Sequence, residues 1–471
     1  MACNSSTCNS SGCYKGYEEE EQPKPNTKAA VNGGNSCQNL CVKCKVNEPV
    51  CCGIGGENSR FCKDCFKNNL YGKFKQAVTY NAMITPPDKV LVAFSGGPSS
   101  RVVLQFVHEM QYKAQKNYDA NKDKSLPVFG VGVAFIDESS THSFTSLHIE
   151  KAIEDIRLIV SNLAPPSKEL FVVPIESIFS SDGIDGKERL KELLDAVSDV
   201  TGKEDLLIRL RILLLQKIAS ENGYTRIVLG TCTSRIACHV ISATVKGQGY
   251  SLSADIQYVD SRWEIPVVLP LRDCPAQELN TLCSLDGSLK IVELLNGPCS
   301  GINGLVSSFV KVLQEENPSR ECTIVRTAGK LTPFHFNRVP EIHDCNVPSA
   351  TRRHQKRYTL KPNGSLSSDS FCPICNSPLK KSNFPSSLRS HGSQQNPDLI
   401  ASACSSCQFQ ILPKDPSLME EFLSVLPQQM ITKAKHGDQG DFSLLSTGFW
   451  DTAAMCMRRW GSYLRFFMLP I

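Results

Sequence analysis

No stretch of the chain approaches the ~18–20 consecutive apolar residues that a membrane span requires, and no signal-type apolar segment opens it. The expectation is a cytoplasmic protein without a membrane partner. A strong charge of either sign is also missing. The chain holds 51 Lys and Arg against 47 Asp and Glu, a net charge of +4, which is too weak to draw a polyanion to the whole surface. Any contact with nucleic acid must come from a local patch. Cysteine, by contrast, is abundant, with 22 residues. In a reducing compartment these are thiols or metal ligands rather than disulfides. The length of 471 residues allows two or three domains, and the pattern suggests one large domain with small satellites.

Residues 1–36 are rich in Asn, Ser, Gly and Lys, include the run Glu18 to Glu21, and hold few large apolar side chains. They are expected to be a disordered tail, with Cys3, Cys8 and Cys13 as unstructured thiols. From 88 to 317 strands and helices alternate. Residues 90–96, 128–137, 170–178, 226–232 and 265–271 are β-branched runs of strand length, and they are nearly continuously apolar, as buried parallel strands are. Between them, 146–163, 187–200 and 205–223 carry apolar residues at helical spacing. Alternation of this kind implies right-handed crossovers and an α/β fold with a doubly wound, mostly parallel sheet, whose ligands bind outside the carboxyl ends of the strands.

One such end reads Ser95-Gly96-Gly97-Pro98-Ser99-Ser100, followed by a helical pattern from Arg101. Two glycines permit positive φ and close approach of the backbone, and the helix beyond presents free N–H groups to an anion. Ser95, Gly96, Gly97, Ser99 and Ser100 are therefore the candidate phosphate loop. A tight structural turn is the plainer reading of a Gly-Gly after a strand.

Two sets of cysteine pairs flank this region. Cys41-x2-Cys44 and Cys62-x2-Cys65 are separated by a gap typical of tetrahedral zinc sites, and they define an N-terminal module over 37–80. Cys51 and Cys52 lie between the pairs as possible substitutes. Cys372-x2-Cys375 and Cys404-x2-Cys407 are farther apart, with a Ser/Pro-rich insertion between, and define a C-terminal module over 371–430. Two structural zinc ions are expected. Sequence-local pairing is the default, although pairs from opposite ends of the chain could share an ion, and four thiolates also suit an iron–sulfur cluster. Residues 318–370 read as a linker. In it Arg352, Arg353, Lys356, Arg357 and Lys361 form an acid-free basic stretch with Tyr358 among them, a candidate RNA contact or a solvated linker. Residues 446–471 form an atypical tail rich in aromatics.

The motifs Cys41-Val42-Lys43-Cys44, Phe61 to Phe66, Phe94 to Ser100, Leu229-Gly230-Thr231-Cys232-Thr233-Ser234 and Phe371 to Cys375 together resemble the cytoplasmic tRNA 2-thiolation protein 2 family, whose fold is of the PP-loop ATP pyrophosphatase type. The resemblance covers about residues 37–445. It implies 2-thiolation of the wobble uridine of certain tRNAs, in a heterodimer with a catalytic paralogue, with sulfur from a thiocarboxylated ubiquitin-like carrier. Replacing a carbonyl oxygen by sulfur requires adenylation, and magnesium on the triphosphate needs carboxylate oxygens. Where catalytic relatives carry acids, this chain has Ser99 and the segment Thr231 to Ser234. Where they carry a Cys-x2-Cys before a helix, it has Thr201 to Asp205. These departures point to a non-catalytic subunit, with ATP bound weakly or only by the partner. Two other readings stand beside it: a zinc-stabilised RNA-binding scaffold, and an adenylating sulfurtransferase in its own right with Cys232 as nucleophile.

Overall fold

A computed structural model describes residues 40–52, 60–120, 127–141, 146–179, 186–292, 300–337, 366, 370–379 and 402–431. The N-terminal tail, the basic stretch at 352–361 and the segment from 446 lie outside the described residues.

The short antiparallel strands β1 (Cys51–Cys52) and β2 (Arg60–Phe61) lead into helix α1 (Lys63–Tyr80). Then follow β3 (Lys89–Ala93), α2 (Pro98–Ala120), β4 (Gly130–Asp137), α3 (Ser146–Ser161) and β5 (Glu169–Pro174). Next come α4 (Gly186–Asp195), α5 (Val200–Glu221), β6 (Arg226–Val228), α6 (Thr233–Val245) and α7 (Leu252–Asp255). After β7 (Val259–Asp260), β8 (Val267–Val268) and α8 (Ala276–Leu285), the described helices are α9 (Gly301–Glu316), α10 (Arg320–Ala328), α11 (Ser405–Gln410) and α12 (Pro416–Val425).

The main sheet has six strands in the order β5-β4-β3-β6-β8-β7, parallel except for β7. Val92 pairs with Val133 on one side and Val228 on the other, which sets the register at the sheet centre. The chain moves outward from β3 to β5 and then returns to place β6 on the opposite flank of β3. The switch point, where α/β sheets open a crevice, therefore lies between the carboxyl ends of β3 and β6.

Both faces are covered. Val90 and Val92 join one apolar cluster with Val103, Phe106 and Val107 of α2, while Leu91 joins another with Leu206, Leu210, Leu213 and Leu214 of α5. Alternation along β3 sends its side chains to opposite faces, and each fully buried leucine contributes about 1.5–3 kcal/mol.

Three details differ from the sequence expectation. The runs 226–232 and 265–271 yield only three and two strand residues, because the chain turns into the crevice loops directly after Val228 and Val268. Helix α2 begins at Pro98 rather than Arg101, since proline's fixed φ and missing N–H suit the first helical position. Helix α10 falls inside the stretch read as linker, yet Val325 and Ala328 are buried in the core. Its nine residues are shorter than the window in which helical periodicity shows.

Gly230 holds the switch point together. A Cβ there would lie 2.8 Å from the Ser100 backbone nitrogen and 2.9 Å from the Ser99 carbonyl carbon, so backbone would have to move. Gly230→Ala is expected to destabilise the chain by about 1–3 kcal/mol, read as a lower urea midpoint with unchanged slope. An unchanged midpoint would mean that the two loops separate freely.

Candidate functional site

The loop after β3 has the shape its glycines suggested. Gly96 sits at φ +81°, and helix α2 starts two residues later. Ser100 is buried and its hydroxyl donates to the Gly97 carbonyl at 2.8 Å, while the exposed Ser95 donates to the Ser100 hydroxyl at 3.3 Å. The segment after α8 lies against this loop. The Val292 N–H donates to the Gly96 carbonyl at 3.0 Å, and the buried Arg101 guanidinium donates to the Ser288 carbonyl at 3.1 Å. Ser99 is half-buried at the helix start.

At the facing loop two of the hydroxyls are engaged within the fold. Thr233 donates to the Arg272 carbonyl at 2.8 Å, and Ser234 accepts from the Ala276 N–H at 2.9 Å. Cys232, only 1% exposed, caps α6 inside the apolar cluster that also holds Cys274, whose thiol burial pushes up to about 12. At the carboxyl end of the neighbouring β4, Asp137 accepts from the Ser139 N–H at 2.9 Å and Glu138 accepts from Arg211 at 2.7 Å. Among the described residues, the only groups of three or more His, Cys, Asp or Glu donors close enough to share an ion are the two cysteine sets.

Thr201 to Asp205 form the first turn of α5 and are packed. Asp199 accepts from the Gly202 N–H at 2.7 Å, Glu204 accepts from the Ser300 N–H at 2.9 Å, and Asp205 pairs with Lys246 at 2.7 Å. A Cβ at Gly202 would stand 2.1 Å from the Gln410 carbonyl oxygen, so this turn abuts the end of α11.

The structure brings Cys41, Cys44, Cys62 and Cys65 together, and separately Cys372, Cys375, Cys404 and Cys407, with the sulfur atoms of each set all within 4.8 Å of one another. Sequence-local pairs thus meet. The two sets repeat one construction. Each first pair is closed by a residue at positive φ, Lys45 at 56° and Asn376 at 60°, whose N–H donates to the carbonyl of Cys41 or Cys372 at 2.8 Å. Each second pair sits at a helix start, with Cys62 or Cys404 as N-cap and Cys65 or Cys407 in the first turn. Cys51 stands apart, its thiol directed at the Phe61 carbonyl.

Burial tends to raise the Cys41 thiol, but the backbone N–H groups of Cys44, Cys62 and Lys43 outweigh it and bring its pKa to about 6. Burial and its three sulfur neighbours push Cys65 up to about 12. A tetrahedral ion with metal–sulfur bonds of ~2.3 Å places sulfurs about 3.8 Å apart. Cys44 and Cys62 are separated by 3.8 Å and Cys375 and Cys404 by 3.5 Å, so the donor sets fit one such ion each.

The C-terminal set is embedded in the main core. Cys372, Ile374, Cys407 and Phe422 share an apolar cluster with the α5 leucines, whereas Cys41, Cys62 and Cys65 form a small cluster of their own. Beside the C-terminal set lies Arg209 of α5, a residue that no sequence motif marks. It is 6% exposed and stacks over Trp263 at 4.0 Å, and none of its three guanidinium nitrogens has a hydrogen-bond partner among the described residues. Burial pulls its pKa down to about 10. The available signal was an arginine at an inward helical position between Leu206 and Leu213.

No protein-family model matches the chain. A cytoplasmic tRNA 2-thiolation protein 2 from Arabidopsis thaliana is 59% identical over 93% of this chain and 94% of its own length. The protein of that name from Oryza sativa subsp. indica is 53% identical over 84% and 85%, and a Xenopus laevis protein, 2-A, is 24% identical over 89% and 95%. Among solved structures, the U34-tRNA thiolase NcsA from Methanococcus maripaludis with its 4Fe-4S cluster aligns at 17% identity and a TM-score of 0.47, over 65% of this chain and 91% of that one.

Proposed function

The chain belongs to the cytoplasmic tRNA 2-thiolation protein 2 family, and on that premise we propose that it is the non-catalytic subunit of the complex that 2-thiolates the wobble uridine of tRNAs. It pairs with a catalytic paralogue, which binds and turns over ATP and receives sulfur from a thiocarboxylated ubiquitin-like carrier. The observation that carries this reading is the chemistry of the switch-point crevice. Adenylation of uridine needs magnesium held by carboxylate oxygens beside the triphosphate. Here the loop positions are Ser99 and Thr231 to Ser234, of which Thr233 and Ser234 are hydrogen-bonded into the fold, and the acids at the end of β4 are already paired. What the loop keeps is backbone N–H groups at a helix start, worth about 0.3–1 kcal/mol to an anion. That supports weak phosphate or nucleotide binding without turnover.

The isolated chain is therefore expected to release AMP and pyrophosphate from ATP no faster than a buffer control, with or without tRNA, while the reconstituted pair releases both. Steady release by the isolated chain would restore the adenylating-enzyme reading and with it Cys232 as a nucleophile.

Both four-cysteine sets are read as structural zinc sites. The close approach of their sulfurs supports a single ion in each, because a four-iron cluster sets a whole metal–sulfide cage between its thiolates and needs them farther apart. Elemental analysis is expected to give two zinc ions per chain; iron in their place would overturn the assignment. The basic stretch Arg352, Arg353, Lys356, Arg357 and Lys361 supplies phosphate contacts to tRNA in this reading.

A further inference from the structure

Arg209 breaks the rule that buried charges are paired. Its Nε and both terminal nitrogens are buried without a hydrogen-bond acceptor among the described residues, in a residue that is 6% exposed. The indole of Trp263 at 4.0 Å offers an aromatic face and no lone pair in the plane of the guanidinium. The nearby carboxylates are engaged elsewhere. Arg262 holds Asp260 and Asp255 at 2.7 Å each, and Trp263 Nε1 also donates to Asp260 at 3.1 Å. Besides Arg262 and the already engaged Asp260, the ionisable groups within electrostatic reach of Arg209 are Cys372 and Cys375. The same knuckle is fastened to this neighbourhood from its other side, because Arg262 Nη1 donates to the Asn376 carbonyl and Asn376 Nδ2 donates to the Arg262 carbonyl, both at 3.3 Å.

Four thiolates around one divalent cation carry a net dianionic charge, whereas four protonated thiols carry none. An unpaired guanidinium beside such a site is mismatched to the second state and matched to the first. We propose that Arg209 is the built-in counter-charge of a metal-bound tetrathiolate at Cys372, Cys375, Cys404 and Cys407, a positioning residue that makes the C-terminal site bind its ion more tightly and makes the metal-free core less stable. The proposal rests on reading that set as a metal site. It links metal loading to the main core, since Arg209 lies on α5 among the leucines that cover one face of the sheet.

The diagnostic feature is a change of sign. A residue that merely fills space would, on replacement, weaken the loaded and metal-free forms alike. Replacing Arg209 by methionine, which keeps length and can still lie on Trp263, is expected to weaken the loaded form and strengthen the metal-free one.

The experiment uses full-length wild type, Arg209→Met and Arg209→Lys. Zinc is counted first, then its transfer to a chromogenic chelator is followed, and thermal unfolding is recorded with zinc and after chelation. Wild type is expected to hold two ions that leave in two phases. In Arg209→Met one phase should quicken by about 10–100-fold, the usual effect of losing an outer-shell partner, and the other should not change. Arg209→Lys, which keeps the charge, should lie near wild type. The chelated Met variant should melt above chelated wild type. If the Met variant does not accumulate, Arg209→Gln gives the same comparison. Zinc in wild type with identical release from both variants, or a Met variant that is less stable in both states, overturns the role of Arg209. A wild-type chain with no ion at the C-terminal cysteines overturns the metal reading and the proposal with it.

Discussion

Cys372→Ser is expected to lower the melting temperature of the whole α/β core, whereas Cys62→Ser unfolds only the knuckles that precede α1 and leaves the core melting near the wild-type temperature. The difference follows from where each cysteine set is anchored. Cys372 is fully buried in the apolar cluster that contains Leu206, Leu210, Leu213 and Leu214 of α5 and Phe422 of α12. Gly202 of α5 abuts Gln410, so one side of that helix's first turn rests on the C-terminal module. Structural zinc couples ~10–16 kcal/mol of apparent binding to folding, and even part of that is comparable with the whole ~5–15 kcal/mol stability of a domain.

Cys62 belongs to a cluster of three cysteines, and α1, which it caps, has independent support. Phe66, Leu70 and Phe74 pack into the second core, and Lys73 pairs with Glu278 of α8 at 2.7 Å. Limited proteolysis with zinc counting checks both halves. Cys62→Ser should retain one ion and a protease-resistant core. A Cys372→Ser chain whose core melts at the wild-type temperature would show that the C-terminal module is an appendage rather than part of the core.

That fusion of module and core is the feature least legible in the sequence. The strands of 90–96 and 128–137 announced themselves by unbroken apolar, β-branched runs, and the structure pairs them in parallel at the centre of the sheet. The cysteine sets announced themselves by spacing, since two residues between thiols is what a knuckle or a first helical turn imposes. What spacing cannot carry is which surface a module rests on. Ile374, Ile411, Leu412 and Phe422 lie within the stretch read as a small satellite module, yet they bury against α5. Apolar residues record that they will be covered, not by what. Arg209 was hidden for the opposite reason. An arginine in a leucine-rich helix is ordinarily read as a solvated position, and only its placement over Trp263 beside Cys372 and Cys375 turns it into an anomaly. Strand β7 is equally silent in the sequence, because two residues of an antiparallel edge carry no periodicity.

Replacing Arg352, Arg353, Lys356 and Arg357 together by alanine is expected to weaken tRNA binding by the reconstituted pair at low salt and to flatten its salt dependence. A net charge of +4 spread over the chain attracts a polyanion feebly, whereas five cations within ten residues, with no acid among them, create a local field that does. Each cation that neutralises a phosphate releases condensed counterions, so its removal lowers the slope of log affinity against log salt by roughly 0.7–0.9. The quadruple replacement should therefore flatten the slope by about three, and the deficit should be greatest in dilute salt and shrink as salt rises. Because phosphates carry no sequence information, all tRNAs should be affected alike.

Tyr358 provides an internal contrast. If it stacks on an unpaired base, Tyr358→Ala removes about 1–3 kcal/mol while leaving the salt slope untouched, since stacking releases no counterions. The two variants thus separate charge from stacking within one short segment. A quadruple variant with wild-type affinity, slope and thiolation would make the stretch a solvated linker and move the RNA-binding surface elsewhere in the complex. A steep loss confined to some tRNAs would mean that these side chains read bases rather than backbone.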